Sequence, residues 1–393
     1  MQKERIDLII SGGTILCLDA RMQVLTDSCI AISAGRITDI LPQAQQKYAA
    51  QEVLDASGCI IIPGLINAHT HIPMTYFRGL ADDLPLMKWL QEYIWPLESK
   101  LVKTQFVFDA SLHGAAEMLK NGIVLANDMY FHGEEIARAL SQAGMRGIIG
   151  EAVIQTLLPK DGSIGIGQKT LELKEAFSGN PLVDFAITPH SIYTCDRNTL
   201  EKCTEVALAN DLLVHIHLSE TKAERESCIE SHGKKPVEYL AEIGMLKART
   251  ILAHGIWIDE QEMKILSQNR ISVATCLESN LKLVSGILPM QKYHKARVNI
   301  CLGTDGVASN NNLDLFAEMD MNAKLHKTIS EDPCFLPAEN VLKMATINAA
   351  RALGIDHLTG SLEPGKYADL VVLNVDSLSS QPLYNPYSHI VYA

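Results

Sequence analysis

The stretch Ile60-Ile61-Ile62-Pro63-Gly64-Leu65-Ile66-Asn67-Ala68-His69-Thr70-His71 decides how this chain is read. It is an apolar run with one Pro-Gly interruption, and it ends in two histidines. Runs of this kind form buried strands, and residues i and i+2 of a strand share a face. His69 and His71 therefore project together while Thr70 turns away. Two imidazoles aimed at one point begin a metal site, yet an isolated His-x-His also occurs as a solvated loop pair. Partners elsewhere in the chain decide between the two.

Working outward, strand-like runs alternate with amphipathic helical segments. The runs cover 60–67, 123–128, 147–151, 184–188, 212–218, 250–253, 271–275 and 298–303. Helical patterns such as 105–119, 199–210 and 260–268 lie between them. This alternation specifies βαβ units, and eight of them close into a TIM-like (β/α)8 barrel. A doubly wound open sheet competes poorly, because no GxGxxG follows the first strand.

Ahead of the barrel, short strands at 6–10, 14–19, 28–33, 36–40 and 52–54 are joined by Gly-containing turns, the signature of hairpins. Behind it, a helix over 337–353 leads to a turn-rich stretch and a strand that ends near Leu373. Chain ends commonly lie close together, so this last strand is expected to pair with the N-terminal ones. The expected organisation is a β-sandwich domain composed of residues 1–60 and 354–393, flanking a barrel of residues 61–353. Ile390-Val391-Tyr392-Ala393 reads as a strand cut short, a truncated end.

The 393 residues are 47% hydrophobic and 20% charged, as in a folded globular chain too long for one ordinary core. A formal net charge of −12, spread along the chain, argues against nucleic acid or an anionic membrane as partner. There is no signal-peptide h-region, and no apolar run nears the roughly 20 residues of a membrane helix. Nine cysteines without a CxxC pair fit a reducing compartment, so a cytoplasmic location is expected. A homo-oligomer is compatible with all of this.

A barrel of this type does its chemistry at the C-terminal ends of its strands. Ligand-type residues fall there. The first strand ends in His69 and His71, the fourth runs into His190, the fifth ends in His217 with Glu220 three residues on, the sixth ends in His254, and the eighth in Asp305. His69, His71, His217 and Asp305 form an N₃O set that suits one Zn²⁺ or Fe²⁺ ion with a position left for water. His215 shares the face of His217 but lies deeper, as a supporting or core histidine. Glu220 stands where a proton shuttle is needed, and His254 where it can orient or deprotonate the water. A bound divalent cation lowers the pKa of water towards ~7. These residues together read as metal-assisted hydrolysis.

The segments around these residues resemble the amidohydrolase superfamily over essentially the whole chain: Pro63 to His71, His217 to Glu220, Ala253-His254-Gly255 and Leu302-Gly303-Thr304-Asp305-Gly306. Met74 to Leu90, Ile94-Trp95-Pro96-Leu97-Glu98, Asn127-Asp128-Met129-Tyr130 and Glu278-Ser279-Asn280-Leu281-Lys282-Leu283 are similar to the 5′-methylthioadenosine/S-adenosylhomocysteine deaminases. The resemblance implies His69, His71, His217 and Asp305 as metal ligands. It implies Glu220 as proton donor to the purine N1, with His254 and Asp305 handling the attacking water. For the substrate it implies Trp89 against the nucleoside, Glu98 on the ribose hydroxyls and His190 on a purine ring nitrogen. The implied reaction is hydrolytic deamination of an adenine nucleoside to the inosine analogue and ammonia.

Three departures shape that expectation. Residues 147–161 carry no arginine for a homocysteine carboxylate, which favours 5′-methylthioadenosine over S-adenosylhomocysteine, although Lys160 stands in the same region. Thr275-Cys276-Leu277-Glu278 replaces the His-Cys-Pro-Glu of many members at a loop that borders the site. Pro189-His190 stands where binuclear members carry a bridging lysine, so one metal ion is expected. The competing readings are another ring hydrolase of the superfamily, such as a guanine deaminase or triazine hydrolase, and a catalytically silent scaffold.

Overall fold

The computed structural model describes residues 3–158 and 165–393; Lys160 lies outside the described residues. Eight parallel strands stand side by side in chain order: Leu65–His71, Ile123–Tyr130, Arg146–Val153, Val183–Pro189, Val214–Leu218, Thr250–His254, Ser272–Thr275 and Asn299–Leu302. The short strand Asp305–Gly306 continues the eighth and pairs with the first, Asp305 opposite Thr70 and Gly306 opposite His71, which closes the ring. The architecture is the TIM-like barrel that the alternating pattern predicts. At the strands' N-terminal side, Leu125, Ile148, Ala186, Leu213, Ile251, Ala274 and Cys301 cluster with Ala349, Ala350 and Leu353. Those last three belong to the helix Ile347–Leu353, whose small side chains let it seat closely against the barrel floor.

The opening stretch is two strands, where the sequence reading has one. Cys59–Pro63 pairs antiparallel with Leu370–Asn374 and parallel with Thr14–Leu16 in a small sheet. Leu65–His71 belongs to the barrel. The chain changes sheets at Gly64, where a Cβ would stand 2.3 Å from Val124 Cγ2. Hydrophobic pattern alone misses this break, because both halves are buried on both faces and read as one apolar run.

Two four-stranded sheets flank the barrel. One is ordered Arg36–Leu41, Cys29–Ser33, Glu4–Ser11, Tyr48–Asp55; the other Leu370–Asn374, Cys59–Pro63, Thr14–Leu16, Val24–Leu25. Ile10, Ile30 and Ile37 of the first share a core with Ile15 and Ile61 of the second, as in a β-sandwich. Glu4–Ser11 pairs parallel with Tyr48–Asp55, so the hairpin expectation holds for Cys29–Ser33 with Arg36–Leu41 but not for every neighbour. The Arg36 and Arg146 guanidiniums lie 4.2 and 3.7 Å from the Tyr367 ring centroid, and Arg146 bonds Asp369 at 2.7 Å. The Arg146 contacts tie the barrel to the sandwich, and each cation–π pair contributes about 0.5–2 kcal/mol.

The chain's last residues depart from the strand expectation. Pro386–Tyr392 is a helix, with the Asn385 side chain accepting from the Ser388 N–H. Tyr387, Ile390 and Val391 are buried at helical spacing. Their aromatic and β-branched character favours strand locally, and packing against the helices Ala338–Met344 and Leu315–Ser330 overrides it. Among the described residues, no helix is long and apolar enough to cross a membrane.

Candidate active site

The barrel's C-terminal mouth brings His69, His71, His190, His217, Glu220, His254 and Asp305 together. His69 and His71 share a face as the strand period requires, with ring centroids 4.9 Å apart. Asp305 Oδ1 lies 3.4 Å from His69 Nε2 and 3.3 Å from His71 Nε2. One ligand atom each from His69, His217, His254 and Asp305 falls within 4.8 Å of every other. His71 adjoins this group, its Nε2 lying 3.2 Å from His217 Nε2.

The hydrogen bonds behind these rings fit a divalent cation. His71 Nδ1 donates to the Met129 carbonyl at 2.6 Å and His217 Nδ1 to the His190 carbonyl at 2.8 Å. A neutral imidazole held through Nδ1–H presents a bare Nε2 lone pair, the form that binds metals. His69 Nε2 is buried with no hydrogen-bond partner, while its Nδ1 sits 2.8 Å from His215 Nε2. His215 is thus the support beneath the site, braced in turn by Asn127 at 3.1 Å.

Three of these strand ends carry strained backbone. Ser219, His254 and Asp305 have φ of 54°, 73° and 62°, left-handed values that cost a non-glycine residue about 1–3 kcal/mol each. The bend at Ser219 is held by the buried Glu224 carboxylate, which accepts the N–H groups of Ser219 and Glu220, both at 2.9 Å. Glu220 then reaches back over the site, with Oε2 3.8 Å from His254 Nε2.

Charge in this enclosed space is set first by burial. Burial would raise the Asp305 carboxyl, but its close contacts with His69 and His71 hold it well below the usual range. Burial would lower His71, and the Asp305 carboxylate outweighs it and raises the imidazole. Burial takes His69 down to about 4, His190 to about 3, and His217 well below its ordinary value, so these rings stay neutral. Burial raises Glu220, favouring the protonated carboxyl.

A cavity of about 70 Å³ lies directly over the histidines and opens into one of about 1090 Å³. Trp95, Glu98, Phe131, Ile154 and Tyr193 line both. Trp89 sits in a π-helical turn, Trp89–Ile94, a helix irregularity common at functional sites. Its indole Nε1 is buried without a partner at the inner cavity. Glu98 is buried and accepts the Tyr130 hydroxyl at 2.6 Å. The His190 ring lines the inner cavity while its Nδ1 meets Thr194 Oγ1 at 3.0 Å. Every residue that the sequence reading nominated therefore stands at this mouth.

Several residues at the site were not assigned chemistry from sequence. Tyr130, Ser279 and Asn280 fall inside stretches that carry the family resemblance, which was the one available signal. Glu224 and Ser285 had none, since a lone carboxylate or serine on a polar helix or loop reads as a solvated group. Cys276, in the departing Thr275-Cys276-Leu277 loop, is fully buried and its thiol is pushed well above its usual range. It packs as a thiol.

Fold and site together define a metal-dependent hydrolase built on a (β/α)8 barrel. The chain belongs to the amidohydrolase family, whose model matches residues 60–393, and within it to the 5-methylthioadenosine/S-adenosylhomocysteine deaminases, hydrolases that act on C–N bonds. A protein of Syntrophobacter fumaroxidans with that deaminase name is 43% identical, covering 100% of this chain and 90% of the relative. A 5′-deoxyadenosine deaminase of Methanothermobacter thermautotrophicus is 42% identical, covering 93% of this chain and 84% of the relative. The solved adenosine deaminase of Xanthomonas campestris with bound zinc superposes with a TM-score of 0.95 at 36% identity, covering 100% of this chain and 90% of that one.

Proposed function

We propose that this chain deaminates a 5′-substituted adenine nucleoside, 5′-methylthioadenosine above S-adenosylhomocysteine or adenosine, to the inosine analogue and ammonia. The observation that carries the reading is Glu98. A carboxylate buried at the throat between the inner and outer cavities, steadied by Tyr130, suits two vicinal ribose hydroxyls. The adenine then lies inward over the histidines, and the 5′ substituent outward in the large cavity.

His69, His71, His217 and Asp305 would hold one divalent ion, which their donor set allows to be Zn²⁺ or Fe²⁺ and which the zinc-bound relative favours as Zn²⁺. The ion supplies Lewis acidity and an acidified water. Asp305, held below the usual carboxylate range, would accept a hydrogen bond from the attacking water, and His254 would orient that water towards C6. Glu220, whose carboxyl burial pushes above its ordinary value, donates to the purine N1 as negative charge develops on the ring. Its proximity to His254 lets the pair relay a proton released by the attacking water to the departing amine, while the proton given to N1 stays in the product. Trp89 packs on the nucleoside and offers its free N–H, and His190 presents Nε2 to a ring nitrogen.

The outer cavity supports a neutral 5′ substituent. Among its described lining residues, Arg197 is the one arginine, and it is already paired with Glu201 at 2.7 Å and Glu242 at 2.8 Å. Ammonia release from 5′-methylthioadenosine, 5′-deoxyadenosine, adenosine, S-adenosylhomocysteine, guanine and melamine tests the proposal. Turnover of the free base or the triazine without the nucleosides would overturn it. Zinc-loaded protein inert on all six would leave the scaffold reading.

A further inference from the structure

The loop after the seventh strand carries none of the residues assigned to chemistry, yet its side chains touch three of them, which come from three other strands. Ser279 Oγ donates to Asp305 Oδ2 at 2.6 Å. Asn280 Nδ2 lies 2.9 Å from His254 Nδ1. Ser285 Oγ donates to Glu220 Oε1 at 3.0 Å. Each contact engages the atom turned away from the site, leaving Asp305 Oδ1, His254 Nε2 and Glu220 Oε2 to face inward.

The loop is itself fastened at both ends. The buried Glu318 carboxylate, from the helix Leu315–Ser330, accepts the N–H groups of Leu277 and Glu278 at 3.1 and 3.0 Å. At the other end, Trp257 Nε1 donates to the Ser285 carbonyl at 2.8 Å, and the Ser285 N–H donates to the Asn280 carbonyl at 2.9 Å. Between them Val284 is 86% exposed with φ of 56°. A β-branched residue in the left-handed region is strained, and a solvent-exposed side chain has no packing of its own to compensate. That conformation turns the next residue, Ser285, inward to 5% exposure and onto Glu220.

From this geometry we infer that residues 276–286 act as one clamp, in which Ser279, Asn280 and Ser285 are positioning residues for Asp305, His254 and Glu220. The inference rests on the deaminase reading for what those three groups do, but not for the clamp itself. Because all three are set by a single fastened loop, a loosened end displaces them together. A misplacement of about 1 Å costs a reaction on the order of 100-fold while leaving ground-state contacts in place.

The test uses zinc-loaded wild-type, Ser285→Ala and Trp257→Phe proteins with 5′-methylthioadenosine. Ser285→Ala should lower kcat about 10- to 100-fold. It should weaken a 1,6-dihydro-6-hydroxypurine nucleoside, which mimics the tetrahedral centre, by the same factor. KM and metal content should stay within about 2-fold, because the sugar and metal contacts do not pass through Glu220. Trp257→Phe, acting only through the loop backbone, should move kcat and the tetrahedral analogue the same way by a smaller factor. Unchanged kcat and analogue affinity in Ser285→Ala, or an equal loss in KM, would overturn the clamp. A wild-type enzyme inert on every adenine nucleoside would overturn the deaminase reading instead. Crystal structures then decide the clamp alone: Glu220 leaves its place in Ser285→Ala, or stays and refutes it.

Discussion

The Nε2 atoms of His71 and His217 face each other at 3.2 Å, while the opposite nitrogen of each ring is bound to a main-chain carbonyl, Met129 and His190 respectively. Two imidazole lone pairs at that distance need a cation between them, a proton or a metal ion. Asp305 Oδ1, 3.3 Å from His71 Nε2, adds the negative charge that makes the spot attractive to a divalent one. His217→Ala should therefore abolish bound zinc and turnover together, as read by metal analysis and ammonia release. Chelating the wild type should lower its thermal midpoint, and added Zn²⁺ should restore it. An ion at about 100 times its Kd stabilises the folded state by about 2.7 kcal/mol.

Glu220 stands apart from the donor group that faces the metal position, so its role separates cleanly. Glu220→Gln keeps the shape and the hydrogen bond from Ser285 but cannot give up a proton. The expected outcome is unchanged metal content with kcat lower by about 10²–10⁴-fold. Near-wild-type turnover in this variant would remove Glu220 from the mechanism.

Glu98 and Tyr130 should govern affinity for the sugar. Glu98→Ala should raise KM for nucleosides about 10- to 100-fold, the worth of a hydrogen bond to a charged group. Tyr130→Phe, which removes only the 2.6 Å bond to Glu98, should raise it by about 2- to 10-fold. Neither should change KM for a 2′,3′-dideoxy analogue, where no vicinal hydroxyls remain to be read.

Glu224 makes the stability depend on pH. Burial raises its carboxyl from the ordinary 4.5 to about 7, against the Ser219 and Glu220 N–H bonds that favour the charged form. The folded state thus holds this proton more tightly than the unfolded one. Its contribution is fully present below pH 4.5 and is lost as pH rises through about 7. Glu224→Gln cannot titrate, so the variant's thermal midpoint should fall less than the wild type's between those two pH values. Parallel melting curves across that window check it.

Gly64→Ala tests the crossing between the two sheets. The added methyl would meet Val124 Cγ2 at 2.3 Å, and relief requires moving a barrel strand. Overpacking of this kind costs about 1–3 kcal/mol, which denaturant unfolding would detect as a lower midpoint at unchanged slope.

Much of this protein follows from sequence alone, because a barrel makes site residues periodic. A strand end recurs once in every βα unit, and His69, His71, His217, Glu220, His254 and Asp305 each sit at or just beyond one. Composition and the alternating pattern settle the fold class for the same reason: strand and helix periods are local properties. The break at Gly64 and the terminal helix Pro386–Tyr392 were not legible there. Partner choice for a buried strand, and packing that overrides strand propensity, are long-range effects.

What only the tertiary structure decided is which nitrogen and which oxygen of each group face the site. Met129 and His190 carbonyls orient two imidazoles, Glu224 holds the Glu220 bend, and Ser279, Asn280 and Ser285 take the outward atoms of Asp305, His254 and Glu220. These partners lie on other strands and loops, up to 65 residues away in the case of Ser285 and Glu220. Residue type and spacing specify what a side chain can do. Its orientation depends on hydrogen bonds across elements, and those exist only once the barrel has closed.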